Sequence, residues 1–240
     1  PHITRPRTLP HTLLLLTRPP LAHTHTHTHP AAHPPPPHTP PLSSHPRPLL
    51  SLFPPPTHHQ WKPTREGYLR FLAESLAVYE ALEEAVAASP LYAAFRATGL
   101  ERAAALRTDI AWFKEAHGLA PPPLAPDGPG ATYASLVKAL AATDPPAFIC
   151  HFYNTYFAHT AGGRMIGAKL SASLLDGQAL AFYAYDGDFR PLLDAVRAKI
   201  DEAAAGWSRA DKDRCLDETA SSFKYSGALL RTIAEPAVAK

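Results

Sequence analysis

Among 240 residues, the types that could do chemistry gather in one stretch, Phe148–Leu175, FICHFYNTYFAHTAGGRMIGAKLSASLL. Its apolar spacing predicts one long amphipathic helix. Near its middle stand His159 and, one turn on, Gly162 and Gly163. Two adjacent glycines inside a helix cost about 1 kcal/mol each relative to alanine. Such a pair is expected where a helix kinks or where its backbone comes close to something flat. A helix crossing would also accept it. A nearby imidazole adds a group that can hold or pass a proton at ordinary pH. Together these residues predict a wall over a planar ligand.

The other chemical signals are weaker. Cys150 and Cys215 offer neither a disulfide framework nor a CxxC metal pattern, and read as small buried hydrophobes. Gly-rich phosphate loops, GxSxG and HExxH are absent from the sequence. The alternating run His23–His29 could supply flexible imidazole ligands to a transition metal.

That run belongs to a leader, residues 1–60, unlike the rest of the chain. The leader has no Asp or Glu, four arginines, 17 of the 28 prolines and 11 of the 14 histidines. The remaining residues carry 19 Lys and Arg against 21 Asp and Glu, so the overall charge of +2 comes from the leader. Nucleic acid is therefore not an expected partner. Proline-rich, low-complexity sequence buries too little apolar surface to offset its ordering entropy, and Pro1–Thr57 is expected to be disordered. A simple-sequence tract, a transit peptide and a metal-binding run are all compatible with this composition. The sequence begins at Pro1 and not Met, and is expected to be a fragment or an imperfect translation. Leu13–Leu16 is too short and too interrupted to span a membrane, and no other stretch of the sequence qualifies.

Residues 61–235 read as a single all-α domain. Leu69, Leu72, Leu76, Tyr79, Leu82 and Val86 recur at helical spacing, with Pro63 in the first turn and Pro90 as the stop. Further helices are expected over Leu91–Ala97, Leu100–Ala116 ending at Gly118, and Tyr133–Ala142. Asp144 should cap the long helix, Asp188 open the next one, and Ser208 open the last, which runs to about Ile233. No alternating segment long enough for a strand occurs.

Four blocks carry a family resemblance: Trp61–Ser75 (WKPTREGYLRFLAES), Thr108–Gly118 (TDIAWFKEAHG), the FICHFYNTYFAHTAGGRMIG core, and Cys215–Arg231 (CLDETASSFKYSGALLR). In this order the chain resembles the plant and algal plastid form of the heme oxygenases, from Trp61 to about Ile233. The resemblance implies a multi-helix domain whose distal helix is kinked at Gly162–Gly163. It implies opening of heme, at once cofactor and substrate, to biliverdin with release of CO and ferrous iron. Dioxygen would be co-substrate, ferredoxin the electron donor, the chloroplast stroma the location, and the molecule a monomer.

The resemblance also assigns residues. Gly162 and Gly163 would let the helix lie on the heme face and steer oxidation to one meso carbon. His159 would hold the water that delivers protons, with Ala158 beside it. Tyr153 and Arg197 would meet the propionates, while a lysine of the family falls at Leu193. Arg164 could be a surface cation for an acidic donor, and His151 has no firm role. The proximal iron ligand is left without a residue. In the family it is a histidine on a helix upstream of the block matching Trp61, where this sequence has polyproline and His-Thr repeats. His38 lies between prolines, and His58 and His59 directly precede Trp61. The chain as written is thus expected to lack the spectrum of a His-ligated heme. A non-catalytic, heme-oxygenase-like binding or regulatory protein is the alternative.

Overall fold

The computed structural model describes residues 62–234. The leader and the readings placed on it lie outside the described residues. Seven α-helices follow one another: α1 (Arg65–Ala88), α2 (Ala103–His117), α3 (Pro129–Thr143), α4 (Pro145–Ala158), α5 (Arg164–Leu174), α6 (Arg190–Ala205) and α7 (Arg209–Arg231). Short 3₁₀ segments lie at Pro90–Phe95 and Ala181–Tyr183, and there is no strand among the described residues. The all-α expectation holds.

Helix α1 is the common support. It packs on α2, α3 and α7, while α4 packs on α7, α3 and α6. The predicted stripe of α1 is buried at Leu69, Leu72, Tyr79, Leu82 and Val86. So are Glu74 and Ser75, because α1 has neighbours on more than one side. Along α4 an aromatic ladder of Phe148, Phe152 and Tyr156 meets Tyr92, Phe95 and Tyr79, with ring centroids 4.5, 5.3 and 5.3 Å apart. Such contacts add to the area term of burial.

The helix starts divide into two groups. Thr64, Asp144 and Ser208 cap α1, α4 and α7 with their own side chains, and Ser208 forms a capping box with Asp211. Pro63 thus precedes the cap of α1 and is not in its first turn. At α2 and α3 the cap positions are Arg102 and Gly128, which give no side-chain bond. Glu83 of α1 instead accepts from the backbone N–H groups of Arg102 and Ala103, at 2.7 and 2.9 Å. Glu74 of α1 accepts from Gly130, at 2.6 Å.

The two ends of the domain close on each other at Gly67. A Cβ there would collide with the backbone of Ile233 and Thr232, which cannot rotate away as a side chain can. Thr64 also donates its N–H to the Ile233 carbonyl, at 3.3 Å. Gly67→Ala is therefore expected to destabilise the protein by about 2 kcal/mol through overpacking. For a domain of this size that lowers Tm by roughly 4–8 °C. An unchanged thermal melt would show that the α1–α7 approach has slack.

Candidate functional site

The predicted long helix is present and runs from Pro145 to Leu174, but not as a uniform α-helix. At His159–Gly163 it winds as a π turn, with the Arg164 N–H bonded to the His159 carbonyl. Ala158, His159, Gly163 and Arg164 keep right-handed helical dihedrals, so α4 and α5 are continuous through the turn. π turns occur mostly as single turns within helices, often at functional sites.

His159 opens that turn and is buried. Its Nε2–H donates to the Phe182 carbonyl, at 2.9 Å. The ring stacks on Tyr183 (5.3 Å, 19°) and also faces Phe182, Tyr79 and Tyr185, at 4.2, 6.2 and 6.3 Å. Burial drives its pKa down to about 3, helped by the charges of Arg102 and Arg164 and opposed by the bond to Phe182. The expectation of an imidazole titrating near its ordinary value is thereby corrected. Residue 159 is a neutral ring at pH 7, with its proton on Nε2 and an acceptor lone pair on Nδ1. That lone pair has no hydrogen-bond partner among the described residues. It faces Gly163: a Cβ there would lie 3.1 Å from Nδ1, while one on Gly162 would meet nothing within 4 Å.

Tyr153 and Arg197 come together through a residue the sequence reading passed over. The Tyr153 ring stacks on Phe157 at 4.0 Å, and the Arg197 guanidinium lies over the same Phe157 ring at 4.8 Å. Arg197 reaches Asp194 through Nη1 at 2.5 Å, while its Nε is buried without a hydrogen-bond partner. Ala158 follows Phe157 directly and is half-buried. Leu193, where the resemblance places a lysine, belongs to the core.

His151 lies elsewhere. Its Nδ1 is 2.9 Å from the Tyr133 hydroxyl and its Nε2 3.0 Å from Glu218 Oε2, fully inside the α3–α4–α7 junction. Arg164 is exposed and stands over Phe189, at 4.6 Å. Both cysteines are free and buried, and Cys150 Sγ accepts from Asn154 Nδ2 at 3.3 Å.

Further contributors to the site also escaped the sequence reading. The Phe182 carbonyl holds His159, and Asp109 holds the Phe182 turn. Gly167 lets Tyr183 lie flat on the helix, since a Cβ there would be 2.5 Å from its ring. The Tyr185 hydroxyl is buried without a partner, and Arg102 covers its ring at 3.9 Å. Gly167 did leave a signal, a third glycine one turn after the pair. The segment Leu180–Tyr185 left none, because its aromatic run has no period. Among the described residues no cluster of metal-ligating side chains occurs, and no helix is long and apolar enough to cross a membrane.

The helical fold and this helix pair with known proteins. Residues 60–232 match the heme oxygenase family model, and the chain belongs to that family. It is 54% identical over 176 residues to heme oxygenase 1, chloroplastic, of Oryza sativa subsp. japonica. That match covers 72% of this chain and 60% of the rice protein. The Arabidopsis thaliana protein of the same name is 53% identical, with 72% and 61% covered. A probable inactive heme oxygenase 2, chloroplastic, of the same rice is 42% identical, with 72% and 52% covered. The chain thus spans about three fifths of the length of its two more similar relatives here. The fold is also that of heme oxygenase 2 from Chlamydomonas reinhardtii, solved without heme. The TM-score is 0.60 and the identity 20%, covering 73% of this chain and 86% of that one.

Two outcomes follow from the site's geometry. Gly162→Ala should leave the ligand-free protein as stable or slightly more so, because the added methyl enters open space and alanine favours the helix. Gly163→Ala should lower Tm, because its methyl presses on His159; thermal melts of the two variants check the difference. The second outcome concerns pH. A histidine whose pKa is lowered by folding binds more protons when unfolded, so its contribution is present above about 6.5 and is lost as pH falls towards about 3. Within that window it adds up to about 1.4 kcal/mol of stability per pH unit. Denaturant titrations of His159→Gln should show this slope reduced by nearly one proton, and an unchanged slope would contradict a neutral buried ring.

Proposed function

We propose that this chain is a heme-degrading oxygenase that works in the chloroplast with ferredoxin as electron donor. The observation that carries the reading is the neutral His159, whose unpaired Nδ1 faces Gly163, with open space beside the neighbouring Gly162. The 54% identity to a protein named as a chloroplastic heme oxygenase supports it, and exceeds the 42% shared with a probable inactive one.

The residues fit heme on one face and at its carboxylates. Two buried polar atoms without partners, Arg197 Nε and Tyr185 Oη, lie around the Tyr153–Phe157 pair and around His159 respectively. An unpaired buried donor costs about 1–3 kcal/mol, and a ligand that supplies the acceptor recovers it. Arg197, with Tyr153, would take a propionate. The backbone at Gly162 and Gly163, wound in the π turn, would lie against the ring. The chemistry supplied by heme when bound is activation of dioxygen and oxidation of its own ring to biliverdin, CO and ferrous iron. His159 contributes an acceptor: Nδ1 takes a hydrogen bond from a water lying over the glycines, and the water keeps its second proton for delivery. The rings of Tyr79, Phe182, Tyr183 and Tyr185 exclude other water from the imidazole. Exposed Arg164 is a site for an acidic donor protein.

A second reading, a binding protein that does not turn over, is favoured by the described histidines. His151 is bonded through both ring nitrogens, His159 through Nε2, and His117 packs on Trp112 and Phe113. None of the three is placed by these contacts as an axial base.

Heme titration followed by turnover with ferredoxin and reductant separates the readings. The oxygenase reading expects biliverdin and CO, from the full chain or from one with a family first helix joined ahead of Trp61. Binding without biliverdin in both forms would favour the second reading. Within the active form, Gly163→Leu is expected to cut turnover by about a hundredfold by displacing ring and water, with helical content retained. Arg197→Leu should weaken heme binding about tenfold or more. Full turnover of Gly163→Leu would remove the glycines from the site.

A further inference from the structure

Asp109 of α2 is buried, yet no cation meets its carboxylate among the described residues. Its partners are two backbone amides: Oδ1 accepts from Ala181 at 2.8 Å, and Oδ2 from Phe182 at 2.7 Å. These amides begin a 3₁₀ turn of three residues, Ala181–Tyr183, whose own cap position, Leu180, supplies no side-chain bond. So short a turn has little cohesion of its own. The Phe182 carbonyl leaves the turn to meet His159 Nε2.

We propose that Asp109 is a positioning residue for His159: by clamping both amides it aims the Phe182 carbonyl, which fixes the imidazole as its Nε2–H tautomer with Nδ1 facing Gly163. The inference rests on the role given to His159 above. A neutral imidazole in water is a mixture of two tautomers, and a fixed acceptor at one nitrogen selects one of them. With the proton held on Nε2, Nδ1 accepts from water at all times. With the carbonyl displaced, a fraction of rings carries the proton on Nδ1 and offers a donor where an acceptor is needed. Asp109 is well made for the clamp. Its burial raises its pKa and the two amides oppose that rise, so the charged form depends on the turn as the turn depends on it.

The test is nitrogen NMR of the ligand-free protein with labelled histidine, the His159 signals being assigned by their loss in His159→Gln. In the parent protein Nε2 should be protonated and slow to exchange with solvent, and Nδ1 unprotonated. In Asp109→Asn, where an amide NH₂ replaces one acceptor, the ring proton should exchange about tenfold faster. Nδ1 should move towards the protonated position. Asp109→Glu keeps both acceptors on a longer arm and should lie between the two. Glu83→Gln removes a comparable clamp at the start of α2 and should leave the ring signals as they are.

A ring unchanged in Asp109→Asn while Tm falls would reduce Asp109 to a structural cap and overturn the proposal. So would an equal change in Glu83→Gln. If Asp109→Asn does not fold, Asp109→Glu decides alone, and parent-like ring exchange there overturns the proposal. No heme enters these measurements. Failure of the oxygenase reading would appear as absent biliverdin with the ring still responding to Asp109.

Discussion

Taking an imidazole out of water and ringing it with aromatic side chains penalises its charged form, and at pH 7 His159 can only be neutral. Much of the surrounding structure follows from this. A neutral ring still has one N–H to satisfy, and among the described residues the polar group that reaches it is the Phe182 carbonyl. That carbonyl requires the chain to return past the helix as a short turn. The turn brings Tyr183 flat against the ring, and Gly167 must be a glycine to admit it. The other nitrogen is then free to face Gly163. The glycine pair and the histidine are two parts of one arrangement, in which backbone and an acceptor share the surface left open.

Three carboxylates, Glu74 and Asp109 buried and Glu83 half-buried, recur in one role across the domain. Glu74 serves the start of α3, Glu83 the start of α2, and Asp109 the turn at Ala181. In each case the local cap residue, Gly128, Arg102 or Leu180, makes no side-chain capping bond to the turn that follows it. The first amides of a helix need acceptors and favour negative charge. Here a neighbouring helix supplies both, so two segments far apart in sequence are locked together by the same bonds that start one of them.

This division explains which elements were legible in the sequence. Asp144 and Ser208 cap their own helices, and both starts were read from their residue types. The start of α2 was expected at Leu100 and lies at Ala103, while that of α3 was expected at Tyr133 and lies at Pro129. Their caps sit on α1, beyond the reach of local pattern. The site divides likewise. His159, Gly162 and Gly163 share one turn and were visible as a motif. Phe157 joins Tyr153 to Arg197 as an ordinary apolar residue of α4, and nothing in its spacing marks it. The depressed pKa of His159 depends on rings from α1 and the Phe182 segment, so the motif alone suggested an ordinary imidazole.

The contrast between His151 and His159 shows why an aspartate acting on the second must act at a distance. Burial lowers the pKa of His151, and the carboxylate of Glu218, which touches the ring directly, opposes that fall. A carboxylate placed against His159 would do the same and draw it towards the imidazolium, which has no acceptor nitrogen. A backbone carbonyl orients the ring with a dipole and no net charge. Asp109 holds the amides on the far side of that residue and makes no direct contact with the ring among the described residues. A peptide placed between acid and base thus passes on orientation without a direct ion pair. That is the combination a water-holding acceptor in a buried pocket requires.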